Sequence, residues 1–268
     1  MRVDRLPYEE LPEPTRQALQ QRFGAHCPRA DMETGNSAAF ASVFFPAAGA
    51  PEFVKGLPLD HERIGELEAE ATVNPFLPAF APRVLWRHVA GGWLMIGFQG
   101  LTATPWAWFA DDSDHLGPVA AALRELSLLP APDGVRLTPW DRWGEYCDPA
   151  DEGLLTGDRL VHSDPAATNF MVERGGRVWM IDWAWAMRGP AWIDAALWGF
   201  RLLLDGKQSV EDAARWARTI PAFAKAPREG VRVLAEAEAR SWEDWREHGM
   251  TELDETITAA RAWAAHWR

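Results

Sequence analysis

The pattern of apolar and polar positions changes character along the chain. In the first 100 residues it consists of short apolar runs bounded by turn formers, and in the last third apolar residues recur at helical spacing. SAAFASVFF (37–45) and EFVKG (52–56), joined by a PAAGAP turn, predict two strands, and RVLWRHVAGGWLMIGFQG (83–100) predicts two more, joined at Gly91-Gly92. Between the pairs, HERIGELEAEATVNPFL (61–77) carries helix formers and meets a stop at Asn74-Pro75. Residues 118–128 read as a helix, followed by the Pro-rich connection PAPDG. The C-terminal stretches DAALWGFRLLLDG, SVEDAARWARTIPAFA, EGVRVLAEAEARSWEDWREHG and ELDETITAARAWAAHWR read as helices separated by Gly or Pro, with Ser209 and Asp212 forming a cap.

One segment interrupts this alternation with chemistry. In LVHSDPAATNFMVERGGRVWMIDW (160–183) a polar loop lies between the apolar runs LV and FMV, and a Gly175-Gly176 turn leads into the strand VWMID. A hairpin of this kind holds Asp164 and Asn169 on one loop and ends its second strand at Asp182. Transfer of a γ-phosphoryl group asks a protein mainly to position reactants and neutralise charge, with hard oxygen ligands for Mg²⁺ and a carboxylate for the acceptor hydroxyl proton. Asn169 and Asp182 suit the first task and Asp164 the second. Each residue alone is an ordinary turn former, but the ordered set H-x-D-x-x-x-x-N followed by a strand ending in Asp is much more specific.

The segment resembles the catalytic loop and metal-binding Asp of the aminoglycoside phosphotransferase and choline kinase family. Ser163 stands where Gly is common there, and Pro165 where Leu is common. The resemblance continues through RGPAWIDAALW (188–198), and it implies that Asp194 anchors the catalytic loop by hydrogen bonds and that His162 is structural. It implies an α+β, two-lobed protein-kinase-like fold: a small N-terminal antiparallel sheet lobe with one helix (1–99), which binds the nucleotide, and a larger, mainly helical lobe (100–268) with the catalytic loop, metal site and acceptor pocket. Residues 98–100 would form the hinge.

Composition sharpens the small-lobe assignment. Of the 27 basic residues only Lys55, Lys207 and Lys225 are lysine. Lys55, in the strand EFVKG, stands where the resemblance places the lysine that pairs with nucleotide phosphates, and Arg is a poor substitute for a compact ammonium. Its partner should lie on the following helix. Glu66, Glu68 and Glu70 are all candidates by spacing, and the resemblance favours Glu70, just before the A-x-x-N-P stop. The nucleotide loop is the departure from pattern: ETGNSAAF offers a single glycine, Gly35, leaving backbone groups with Asn36 and Ser37 to cover the phosphates.

The net charge of −12 argues against nucleic acid as a partner. A cationic acceptor is compatible with it, with acidic clusters at Asp111, Asp112 and Asp114 and at Glu236, Glu238, Glu243 and Asp244, although a solvated surface is the plainer account. No apolar run is long enough to span a bilayer and no secretion signal is apparent, so a cytoplasmic protein with free thiols at Cys27 and Cys147 is expected. Sixteen tryptophans are read mainly as core.

The expected activity is therefore ATP- or GTP-dependent, Mg²⁺-assisted phosphorylation of a hydroxyl on a small molecule, by resemblance an amino-containing antibiotic or related metabolite. Choline-, sugar- and homoserine-type acceptors stay open. A nucleotide-binding pseudoenzyme or regulatory protein with the same fold is the alternative, and a metal-dependent hydrolase a more distant one. Oligomeric state is not legible in the sequence.

Overall fold

A computed structural model describes residues 3–32, 37–101 and 104–268. The chain divides into two compact units, the first comprising Met1–Thr104 with Ile181–Ala184 and the second Pro105–Met180 with Trp185–Arg268. The first thus runs slightly beyond the expected boundary at residue 99 and also takes in a short piece of the 160–183 segment.

In the first unit, helix α1 (Glu13–Phe23) precedes strands β1 (Arg29–Asp31), β2 (Phe40–Phe44) and β3 (Glu52–Pro58), helix α2 (Ile64–Val73), and strands β4 (Val84–Ala90) and β5 (Trp93–Gln99). The strands form one antiparallel sheet in the order β1-β2-β3-β5-β4. The Gly91-Gly92 turn joins β4 to β5 with both glycines at positive φ, as a two-residue hairpin turn requires. Phe40 and Phe44 of β2, Val54 and Leu57 of β3, Leu67 of α2 and the run 93–96 of β5 make the core, closed by Phe23 stacked on Phe44 at 4.3 Å. Helix α1 corrects the expectation of a single helix in this unit. Its sequence is mostly polar and buries only Thr15, Leu19 and Phe23, too narrow a stripe to register as amphipathic.

The second unit contains α3 (Leu116–Leu126), α4 (Pro139–Trp143), β6 (Arg159–Val161), the hairpin β7 (Phe170–Val172) and β8 (Val178–Met180), β9 (Met187–Gly189), and helices α5 (Ile193–Leu204), α6 (Val210–Arg218), α7 (Pro221–Ala224), α8 (Arg228–Glu247) and α9 (Asp254–Trp267). Pro221 splits what the pattern gives as one helix into α6 and α7, because proline cannot donate to the preceding turn. Ser209 caps α6 by accepting from the Asp212 amide.

Helix α5 is the centre of this unit. Ten of its 12 residues are buried, as expected of a helix that is apolar nearly all round. Gly199 lets the indole of Trp263 on α9 lie against its backbone, where a Cβ would collide. Most tryptophans serve the core, among them Trp143, Trp183 and Trp198, while Trp106, Trp108, Trp185 and Trp245 stay substantially exposed. Among the described residues, no helix is long and apolar enough to cross a membrane.

Candidate active site

Lys55 sits on β3 with Ala41 of β2 and Ile96 of β5 as its neighbours across the sheet. Its side chain is 9% exposed, and Nζ donates to Glu70 Oε2 at 2.8 Å and to Asp182 Oδ1 at 2.9 Å. The three candidate glutamates of α2 now separate. Glu66 pairs with Arg63 through bonds of 2.6–2.9 Å, Glu68 pairs with the exposed Arg87, and Glu70 faces inward to Lys55. Glu70 also accepts from the Trp183 amide at 3.2 Å, so one carboxylate ties both the lysine and the residue after Asp182 to α2. Burial works against charge on Lys55, but the carboxylates of Asp182 and Glu70 outweigh it and raise its pKa. Burial is likewise the main influence on Glu70 and raises its pKa. Asp182 has φ 64°, a left-handed conformation that Asp tolerates better than most residues.

Asn36 and Gly35 lie outside the described residues. Ser37 is half-buried at the entry to β2.

In the second unit the catalytic-loop candidates lie between β6 and β7. His162 is fully buried, and its Nδ1 accepts from the Asp164 amide at 3.3 Å. Asp194, 5% exposed at the start of α5, accepts from the amides of His162 at 2.9 Å and Ser163 at 2.8 Å, the anchoring role that the resemblance implies. Ser163 has φ 72°, which explains why glycine is common there. A set of bonds compensates: its hydroxyl donates to the Trp185 carbonyl at 2.9 Å, and Arg142 Nη1 donates to its carbonyl at 3.0 Å and its hydroxyl at 3.3 Å.

Asp164 is held at both carboxylate oxygens. Asn169 Nδ2 donates to Oδ2 at 3.0 Å and to the Asp164 carbonyl at 2.9 Å, and Arg201 Nη2 donates to Oδ1 at 2.6 Å. Burial alone would raise the Asp164 pKa, but the charges of Arg201 and Arg142 hold it below the usual carboxylate value, so the group is ionised at neutral pH. Its side chain remains 38% exposed, which leaves it accessible.

In the second unit the Asn169 amide nitrogen is engaged with Asp164, so the hard donor that remains to it is its side-chain oxygen. In the first unit the hard donor is the Asp182 carboxylate, one oxygen of which accepts from Lys55. Among the described residues no group of three or more His, Cys, Asp or Glu side chains forms a protein-only metal cage. Mg²⁺ needs none when phosphate oxygens and water complete its shell.

The acidic residues of α8 are engaged elsewhere. Glu236 binds Arg232 and Arg268, Glu243 binds Arg261, and Asp244 accepts from Tyr146. Glu238 is buried and accepts from the indole nitrogens of Trp143 at 2.6 Å and Trp242 at 2.9 Å. The other acidic cluster, Asp111, Asp112 and Asp114, is exposed.

Two residues missed in the sequence are thus first-rank members of the loop's surroundings, Arg142 and Arg201. The signal for Arg201 was present: it lies seven residues after Asp194, two turns along the same helix face.

No protein-family model matches the chain, and no curated protein matches it in sequence. Solved structures match it in fold. Choline kinase LicA from Streptococcus pneumoniae aligns with a TM-score of 0.62 at 10% identity, over 94% of this chain and 98% of that one. A thermostable mutant of the aminoglycoside phosphotransferase APH(4)-Ia, in a ternary complex with ADP and hygromycin B, aligns with a TM-score of 0.59 at 18% identity, over 94% and 97%. The macrolide 2'-phosphotransferase MphH from Brachybacterium faecium aligns with a TM-score of 0.56 at 17% identity, over 92% and 96%. The chain therefore has the α+β, two-lobed protein-kinase-like fold of the aminoglycoside phosphotransferase and choline kinase structures, the fold that the 160–183 segment resembles.

Proposed function

We propose that this chain is a small-molecule kinase that transfers the γ-phosphoryl group of ATP or GTP to a hydroxyl. The observation that carries this is the Lys55–Glu70–Asp182 cluster. Glu70 of α2 and Asp182, two residues beyond β8, both accept from the Lys55 ammonium on β3, at 2.8 and 2.9 Å, on a fold whose solved examples include phosphotransferases of choline, aminoglycoside and macrolide type. The ADP complex of one of those structures supports a nucleotide donor.

In this reading the N-terminal lobe (1–99) binds the nucleotide, with Lys55, fixed by Glu70, positioning the phosphates and Asn36 and Ser37 covering them. The lobe 100–268 carries the catalytic loop and the acceptor pocket. Asp164 orients the acceptor hydroxyl and receives its proton as the new O–P bond forms and the bond to the β-phosphate oxygen breaks. A low-pKa carboxylate is adequate for this, because a loose phosphoryl-transfer transition state asks little of its base. Asn169 and Asp182 would hold Mg²⁺, which supplies charge neutralisation on the phosphates. The acceptor is a small molecule with a hydroxyl, an amino-containing antibiotic or related metabolite being the leading class. Nucleotide chemistry and the two free cysteines fit a cytoplasmic setting.

The test is nucleotide consumption, in the presence of Mg²⁺, against a panel of aminoglycosides, macrolides, amino sugars and amino alcohols. At least one acceptor is expected to stimulate turnover, and Asp182→Ala is expected to abolish it while the variant keeps its far-UV circular dichroism. Nucleotide binding with no stimulation by any acceptor would favour the pseudoenzyme, and an Asp182→Ala variant as active as the parent would overturn the assignment.

A further inference from the structure

Helix α5 is apolar except for residues that all turn to one loop. Asp194 accepts from the amides of His162 and Ser163, Arg201 donates to the Asp164 carboxylate, and Asp205, at the C-terminal cap of the helix, accepts from the Ala167 amide at 2.9 Å. The spacings of seven and 11 residues from Asp194 place all three within about 20° of one line along an α-helix. The order of the three along the helix, 194, 201, 205, matches the order of their partners along the loop, 162–163, 164, 167. Charge alternates as negative, positive, negative, and each sign suits its partner: carboxylates for amide N–H groups and a guanidinium for a carboxylate.

From this register we infer that Arg201 is a positioning residue, which fixes the orientation of the Asp164 carboxylate for phosphoryl transfer. The inference rests on the kinase reading of Asp164 given above. A carboxylate held at one oxygen can still rotate about its terminal torsion. Asp164 is held at both, Oδ2 by Asn169 and Oδ1 by Arg201. An ionised carboxylate has about four lone-pair sites, so two such bonds fix its plane and still leave sites for an acceptor hydroxyl.

Arg201 is itself fixed. Its side chain is only 15% exposed, and its guanidinium lies 5.4 Å from the Phe200 ring centre and 5.9 Å from that of Trp242. A planar fork lodged beside two aromatic rings has little freedom to turn, which a lysine at this place would not reproduce. Its charge also balances that of Asp164, so the pair presents less repulsion to an incoming polyphosphate than a bare carboxylate would.

The experiment compares Arg201→Ala, Arg201→Lys and the parent protein, each with and without millimolar guanidinium, which can occupy the space that alanine leaves. Two readouts are taken: transfer kinetics with Mg²⁺ and an acceptor found in the screen, and amide hydrogen exchange at Asp164 and Asn169. Arg201→Ala is expected to lower kcat by about 100-fold, the cost of a misplaced catalytic group, with nucleotide KM moving by less than about threefold. Guanidinium should restore much of the rate, and Arg201→Lys should fall between the two. Exchange at the two amides should quicken in Arg201→Ala and slow again when guanidinium is added.

A kcat for Arg201→Ala within about twofold of the parent would overturn the inference. So would a fall that guanidinium leaves untouched while Arg201→Lys is as impaired as Arg201→Ala. If the parent transfers phosphate to no acceptor, the kinase reading fails, and the exchange measurement decides the remainder: unchanged exchange in Arg201→Ala removes the positioning role, and guanidinium-reversible exchange upholds it. Should Arg201→Ala not fold, Arg201→Gln replaces it in both arms.

Discussion

Replacing Lys55 by Met separates its charge from its bulk, since the two side chains have similar length. In the parent, Nζ makes two charge-assisted bonds, to Glu70 at 5% side-chain exposure and to Asp182 at 31%. Removing one member of a buried pair typically costs about 3–5 kcal/mol, because the remaining charge is left without compensation. Two features reduce this. Asp182 can rehydrate, and Glu70 can take up a proton in the variant, the direction in which burial already pushes it. The expected loss at neutral pH is therefore about 2–4 kcal/mol.

The pH dependence follows from the same shift. A carboxyl whose folded pKa is raised binds a proton that the unfolded chain has released, so stability falls as pH rises above the ordinary value of 4.5. Lys55→Met should therefore approach the parent's stability as pH is lowered toward that value. In the double variant Lys55→Met with Glu70→Leu the unpaired charge is gone, and most of the loss should be recovered. Urea unfolding followed by tryptophan fluorescence at pH 5.5 and 7.5 measures all three proteins, and calorimetric titration with ATP measures the nucleotide site. A single variant as stable as the parent at both pH values, or a double variant no better than the single, would refute this account of the cluster. Both variants should bind ATP weakly whatever their stability, so undiminished affinity would remove Lys55 from the nucleotide site.

Two further outcomes are expected. Ser163→Ala keeps the left-handed backbone but leaves the Trp185 carbonyl without its hydroxyl partner, and should lose about 1–3 kcal/mol. Ser163→Gly loses the same bond but relieves the Cβ crowding, worth about 1–2 kcal/mol, against about 0.5–1 kcal/mol of added chain entropy, so in thermal unfolding it should be at least as stable as the alanine variant. An alanine variant more stable than the glycine one would show that the conformation at residue 163 is not strained. Burial, with a smaller contribution from Asp151, pushes the Cys147 thiol up to about 11, so its alkylation by iodoacetamide should keep accelerating between pH 8 and 10. A rate already level at pH 8, followed by peptide mapping, would contradict that.

What the sequence disclosed and what it hid divide along a physical line. The 160–183 segment was legible because its hairpin and its loop are local: the turn that joins β7 to β8 and the bond from Asn169 to Asp164 span only a few residues. Lys55 stood out through its strand and its rarity. Glu66 and Glu70 could not be separated by spacing, since residues four apart share a helix face, and the deciding fact was the position of Arg63 one turn before. The pairing of β6 with β9 stayed hidden because strands of three residues are too short to show a period. Helix α4 and the turns after it stayed hidden because their Pro, Gly and Asp positions read as a loop. Arg142 reaches Ser163 from that same stretch, so its role was hidden with it.

The choice between arginine and lysine now has a structural meaning beyond its count. Arginines here serve where two acceptors must be met at once. Arg22 forks onto both oxygens of Glu52, Arg83 bonds the carbonyls of Asn74 and Leu77, Arg188 those of Ala131 and Pro132, and Arg142 the carbonyl and hydroxyl of Ser163. Arg22 uses two different nitrogens of its planar fork for this, as an ammonium could not, while Arg83, Arg188 and Arg142 each meet both acceptors through one nitrogen. Lys207 and Lys225 are exposed and carry no such demand. Lys55 alone among the three is buried, and its two partners are carboxylates from separate elements, converging on a single point charge. An ammonium in that place keeps a third donor for an oxygen that arrives with a ligand. The one lysine that this chain buries thus sits where two carboxylates meet a single point charge, and a phosphate oxygen is the third partner that its proposed nucleotide role would bring.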